Sequence, residues 1–175
     1  GNFNIYNEKN ILGTWNGIGV GFGPTVDVTF GKRIGIMVNL TAFDMRNFSN
    51  SQTQNQVTTD ISLTLSYLTL EPMFKVEFSG FYMVAGPSVG IKLNSSGEIT
   101  QSGNGQNAVQ SINVETKSVR FDIAVGTGYT FKLSSDMGLG TDFIANIPLT
   151  DTYNKPGLSN SIFTMRLGVA LKFNI

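Results

Sequence analysis

Glu71 and Glu77, on one stretch of chain, are the first residues whose type and spacing could do chemistry. A carboxylate pair can share general acid and general base work between a protonated and an ionised member. The competing role is plainer: ion-pair partners for Lys75 or for a base on a neighbouring strand. Asp27, Asp122 and Asp142 carry the oxygen donors that Ca2+ takes, but they fall on separate segments at differing depths, so no metal site is expected. The run Gly17-Ile18-Gly19-Val20-Gly21-Phe22-Gly23 has the glycines of a phosphate-cradling loop without its Gly-x-Gly-x-x-Gly spacing, because Phe22 and Pro24 stand at the required sites. The residues after it read as strand, whereas a dinucleotide loop opens a helix. With 0 His and 0 Cys, the chain lacks the usual general base, the commonest metal ligand and any disulfide. It reads as a non-enzyme without a cofactor.

Composition narrows the class further. The 12 Lys plus Arg balance 12 Asp plus Glu, so no global field draws in nucleic acid. Charged residues are 14% of the chain, against about 25% in soluble domains. The 175 residues suit one domain, 1–175, and include 20 Gly and 5 Pro. No run approaches the roughly 18 apolar residues of a transmembrane helix.

The elements that must position these residues repeat with period two. Apolar sets such as Ile18, Val20, Phe22, Val26, Val28 and Phe30 alternate with Gly19, Gly21, Thr25, Asp27 and Thr29. The same alternation marks strands from Ile34 to Ala42, Leu68 to Phe78, Phe81 to Leu93, Val119 to Phe131, Leu139 to Leu149 and Phe163 to Ile175. Ile61, Leu63, Leu65 and Tyr67 alternate in the opposite phase, which predicts a β-bulge near 66–68. Tight turns at Gly31-Lys32-Arg33, Ser79-Gly80 and Ser134-Ser135-Asp136 interleave with polar loops at 47–60, 94–117 and 150–160. That rhythm describes an up-and-down meander with one plain and one decorated end. An eighth strand has only Asn2–Asn10 to draw on, within a weak first segment at 1–13.

Alternation does not say which face is inside. Asp27, Glu71, Lys75, Glu77, Lys92, Arg120, Asp122, Lys132, Asp142, Arg166 and Lys172 all lie on the small, glycine-rich face. In a soluble lipocalin-like barrel that face would meet water. In a membrane barrel it fills the lumen. A face of glycines with near-balanced charges is a poor soluble exterior and a suitable narrow interior, where a stranded charge costs several kcal/mol. Phe30, Phe78, Phe81, Phe131 and Phe173 cluster near the tight turns and the C-terminus, as an aromatic girdle at a lipid–water boundary would.

Four segments then carry a family likeness. Tyr67-Leu68-Thr69-Leu70-Glu71-Pro72-Met73-Phe74-Lys75 and Phe81-Tyr82-Met83-Val84-Ala85-Gly86-Pro87-Ser88-Val89-Gly90 are joined by Gly126-Thr127-Gly128-Tyr129 and Arg166-Leu167-Gly168-Val169-Ala170-Leu171-Lys172-Phe173. From about Gly17 onward the chain resembles small bacterial outer-membrane β-barrel proteins, the Bacteroidetes-type outer membrane protein beta-barrel domain, with an OmpA/OmpX-like architecture. The resemblance implies an all-β, eight-stranded antiparallel up-and-down transmembrane β-barrel in the bacterial outer membrane. The function expected is a structural or surface-interaction protein with a closed, salt-bridged interior. Its partners would be the lipid bilayer and a protein reached through loops 47–60 and 94–117. A transport or ligand-binding barrel, either a narrow pore or a soluble carrier, is the alternative.

Overall fold

The computed structural model describes residues 2–8, 13–103, 106–112, 115–152 and 160–173, and the side chains of 17–103, 107–112, 115–152 and 161–172. Ten strands form one antiparallel sheet: β1 (Asn2–Glu8), β2 (Gly13–Phe22), β3 (Thr25–Phe30), β4 (Ile34–Gln54), β5 (Val57–Phe78), β6 (Phe81–Gly103), β7 (Gln106–Ile112), β8 (Val119–Lys132), β9 (Met137–Pro148) and β10 (Asn160–Phe173). Their order is β2-β1-β10-β9-β8-β6-β5-β4-β3, with β7 on the upper part of β6. β4 also pairs β2, which brings the ladder back to where it began. The sheet therefore curls, and Met37, Met73, Tyr82, Val84, Ala124 and Ile144 from five strands meet on its inner face.

The expectation of an all-β antiparallel meander holds, but the strand boundaries differ. The long first strand is broken, because Pro24 has no N–H to give to a ladder. β2 and β3 flank that break, and both pair β4. Leu40 N donates to Pro24 O across the gap at 3.0 Å. The short first strand exists as β1, paired to β10 and β2 on its two sides. Tight reversals sit where residues with positive φ allow them. Ser79 (φ 51°) and Gly80 (φ 90°) join β5 to β6 at the plain end.

The decorated end is built differently from the expected loops. Segment 47–60 is continuous β4–β5 hairpin, paired out to Gln54↔Val57. Its only turn residues are Asn55 and Gln56, with φ of 50° and 64°. Segment 94–117 is mostly strand too, in upper β6 and in β7. Residues 153–159 of the third predicted loop lie outside the described residues.

The ladder is irregular near 66–68 as predicted, but the extra residues stand on the neighbouring strands and not on β5. Residues 63, 65, 67, 69, 71, 73 and 75 all face inward without interruption. The irregularities lie on the strands either side. Ala42 and Phe43 of β4 oppose only Leu68, with Phe43 at φ 53°, and Leu93 of β6 has no partner on β5. β5 keeps its alternation through this point, and what changes along it is the chemistry of its two faces. Below Tyr67 the outward residues are Leu70, Phe74 and Phe78 and the inward ones include Thr69, Glu71 and Lys75. Above it the inward residues are Leu63, Leu65 and Tyr67 and the outward ones Ser62, Thr64 and Ser66. A strand leaving hydrocarbon for water must exchange its faces in this way, since the medium outside it changes polarity.

Candidate functional site

Three layers of side chains fill the inside of the sheet. At the plain end, Lys75 contacts Asp27 and also Glu77 at 2.8 Å. Lys172 reaches Asp27 at 3.1 Å and Thr130 at 3.0 Å. Both ammonium groups lie over the Tyr82 ring, at 5.9 and 4.5 Å from its centre. Tyr82 has room because Gly128 stands opposite: a Cβ there would collide with the Tyr82 ring.

Glu71 is the middle layer and is fully buried. Arg166 donates to it at 2.6 Å and Asn146 at 2.9 Å, with Asn39 and Ser88 each at 3.4 Å. Side chains from four other strands thus converge on one carboxylate of β5. Removing a partner from a buried pair of this kind costs about 3–5 kcal/mol, because the remaining charge is stranded.

The upper layer pairs Arg46 with Asp44 at 2.8 Å, and Arg46 also donates to Thr164. Thr69 donates to Asp44 at 3.0 Å. Arg120 Nε lies 2.8 Å from Asp122, although neither group makes a hydrogen bond of good geometry there, so the contact is coulombic. The Arg120 guanidinium packs over Tyr67 at 4.8 Å. Above this layer Phe48, Leu63, Leu65, Tyr67 and Ile162 close the interior with apolar side chains.

Of the eleven charged residues assigned to the interior from sequence, Asp27, Glu71, Lys75, Glu77, Arg120, Asp122, Arg166 and Lys172 stand in these ion pairs. Lys92 is half-buried and donates to the Thr116 carbonyl at 2.7 Å. Asp142 lies inside against Gly168. Lys132 is exposed at the end of β8, on the rim of the mouth that it lines with Asp27, Lys75, Glu77 and Lys172. The candidate acid–base pair Glu71 and Glu77 is split between the middle and lower layers, each with its own base. Asp27, Asp122 and Asp142 likewise answer to different layers. Sequence reasoning missed Asp44 and Arg46, which lie beyond the strand predicted from Ile34 to Ala42. Their signal was the alternation Asp44, Arg46, Phe48 resuming after Phe43.

Phe30, Phe78, Phe81 and Phe131 all project outward at the plain end, between 42% and 55% exposed. Arg33 lies over the Phe78 ring at 5.4 Å. The side chain of Phe173 lies outside the described residues. A second set stands higher, with Phe22 stacked on Phe43 at 5.7 Å and Phe121 on β8. At about 3.3 Å per residue, Phe121 and Phe131 are ~33 Å apart along β8, or ~25 Å along the membrane normal at the usual strand tilt. That is the height of an outer-membrane apolar band.

The family model described as "Outer membrane protein beta-barrel domain" matches residues 1–154. The chain belongs to that family, and its place is the bacterial outer membrane. No curated protein matches it significantly. Among solved structures it is similar to Ail, the attachment invasion locus protein of Yersinia pestis, at 12% identity over 98% of this chain and 93% of that one, with a TM-score of 0.39. The same protein in complex with the heparin analogue sucrose octasulfate gives a TM-score of 0.40, with the same identity and coverage. Overlaps that loose carry no argument about function.

Proposed function

We propose that this outer-membrane barrel protein is an eight-stave barrel with a closed interior, and that it works as a structural or surface-interaction protein through the sheet it raises above the membrane. Eight staves result if β2 and β3, which share β4 as neighbour, count as one interrupted strand and β7 as an addition above the bilayer. An eight-stranded barrel has room for side chains or one small ligand. Here the Glu71 layer occupies that room, which favours neither a pore nor a reaction centre.

The observation that carries the reading is the protruding sheet. Upper β4, β5, β6 and β7 form consecutive antiparallel pairs beyond the apolar band. The apolar cap beneath them gives the sheet a rigid base. β7 is the last strand of this extension and presents Val109 to solvent at 63% exposure, with no charge or proline along Gln106–Ile112. Edges of this kind accept further strands. Partner contact is accordingly assigned to 94–117 first and 47–60 second.

A photo-crosslinker placed at Val109 on intact cells should give discrete adducts, and replacing 98–111 with a two-residue turn should abolish surface binding while leaving heat-modifiable barrel in the membrane. The transport reading would instead gain if purified protein gave steady, large conductance in planar bilayers and Val109 formed no adduct. Such a result would mean that the Glu71 layer opens.

A further inference from the structure

Above the apolar band the sheet ends in β7. Gly103 and Gln106 oppose each other across the two intervening residues and head the β6–β7 ladder. The pair that closes so short a connection exchanges both backbone bonds, and alternate residues follow suit. Ala108, Gln110 and Ile112 therefore bond β6, while Asn107, Val109 and Ser111 turn their N–H and C=O groups to the outer edge. Among the described residues β7 pairs β6 alone.

The side chains beside that edge carry one sign of charge. Directly opposed residues of an antiparallel pair share a face. Ser62, Glu98 and Ser111 stand in one row, and Asp60, Thr100 and Val109 in the next. Glu98 and Asp60 are exposed, and this face of the raised sheet carries no Lys or Arg among the described residues. A hollow of about 570 Å3 lies beside Glu98, with Ser62 and Ser111 also in its lining.

We infer, building on the surface-interaction role proposed above, that the β7 edge takes up an extended segment of a partner protein in which a Lys or Arg stands two residues before a β-branched apolar one. The bond-forming residues of an added antiparallel strand oppose Ser111, Val109 and Asn107, and their side chains lie on the face of Glu98. The residue opposite Ser111 is two strand spacings from Glu98, about 9.6 Å. A Lys or Arg spans that distance over Ser111, whose side chain is short. The residue opposite Val109 covers a side chain that is otherwise 63% exposed. Backbone pairing supplies the affinity. The acidic face selects the charge, since an exposed ion pair contributes little by itself but steers and discriminates. A second copy of this chain does not fit the edge. In one membrane it stands the same way up, and a two-fold axis along the membrane normal would set like backbone groups opposite one another.

The probe is a short peptide, blocked at both ends, with Lys-Thr-Val at its centre. It is titrated against the full chain in nanodiscs and read from the backbone amide shifts of Asn107 and Ser111. It should bind at least 5-fold tighter than the matching Glu-Thr-Val peptide. That preference should vanish in Glu98→Lys, and also at about 1 M salt, where the screening length is about 3 Å. N-methylation of the Val amide, which faces β7, should abolish binding, and N-methylation of the central Thr, which faces away, should not. Val109→Pro removes an edge donor without touching the β6 ladder and should act as the methylated Val does. Equal binding of the Lys and Glu peptides, equal loss from both methylations, or binding that survives Val109→Pro would overturn the inference. The surface role would still stand if Val109 crosslinks a partner on cells. Failure of every peptide to bind also overturns it, and the surface role falls with it only if Val109 gives no adduct on cells.

Discussion

Replacing Glu71 tests the closed interior most directly. Glu71→Ala removes the acceptor of Arg166, Asn146, Asn39 and Ser88 at once. A hydrogen bond to a charged group contributes about 1.5–3 kcal/mol net, and breaking a buried pair costs about 3–5 kcal/mol. The Arg166 side chain keeps 17% exposure, so some of its charge is solvated in the variant, and the lower end of the range applies. The expected loss is about 3 kcal/mol, roughly 150-fold in the folding constant. Glu71→Gln keeps an oxygen for Asn146 and should lose only about 1–2 kcal/mol. Combining Glu71→Gln with Arg166→Met should cost less than the sum by about 1–2 kcal/mol, because the second change removes the stranded cation. The assay is a urea titration of barrel folded into lipid vesicles, with the folded fraction read from the migration of unheated samples on a gel. The midpoint should shift with an unchanged slope. A loss below about 0.5 kcal/mol for Glu71→Ala, within the range of an ordinary surface change, would refute the reasoning, since it would mean that bulk water already solvates this layer.

Val125 lies on the lipid side of β8, and Val125→Arg should cost about 2–4 kcal/mol in the same titration if it sits near midplane. Gly128→Ala would drive a Cβ into the Tyr82 ring and to 2.5 Å from the Thr141 carbonyl, so it should destabilise by about 1–3 kcal/mol by overpacking. Combining it with Tyr82→Leu should recover part of that loss. Leu65 is fully buried in the apolar cap above the membrane. Leu65→Ala should cost about 2–5 kcal/mol and speed protease cleavage at Asn55–Gln56, yet leave insertion yield unchanged.

By itself the sequence determined what period two can carry. Side chains alternate strictly along a strand, so Phe74 and Glu71 separate onto opposite faces without any knowledge of the neighbouring strand. The charged interior and the ring of Phe30, Phe78, Phe81 and Phe131 come from that alone, and with them the membrane reading. Tertiary structure decided what depends on pairing between distant strands. Asp44 and Arg46 turn inward because two residues of β4 oppose one of β5 at Phe43, and only the ladder reveals a two-against-one count. The phase reversal at Tyr67 is a second case. Locally it has the pattern of a bulge in β5, but β5 keeps its alternation, the extra residues stand on β4 and β6, and the surroundings change from lipid to water. Glu71 gathers four partners from four other strands, the farthest being Arg166, a convergence set by the curl of the whole sheet.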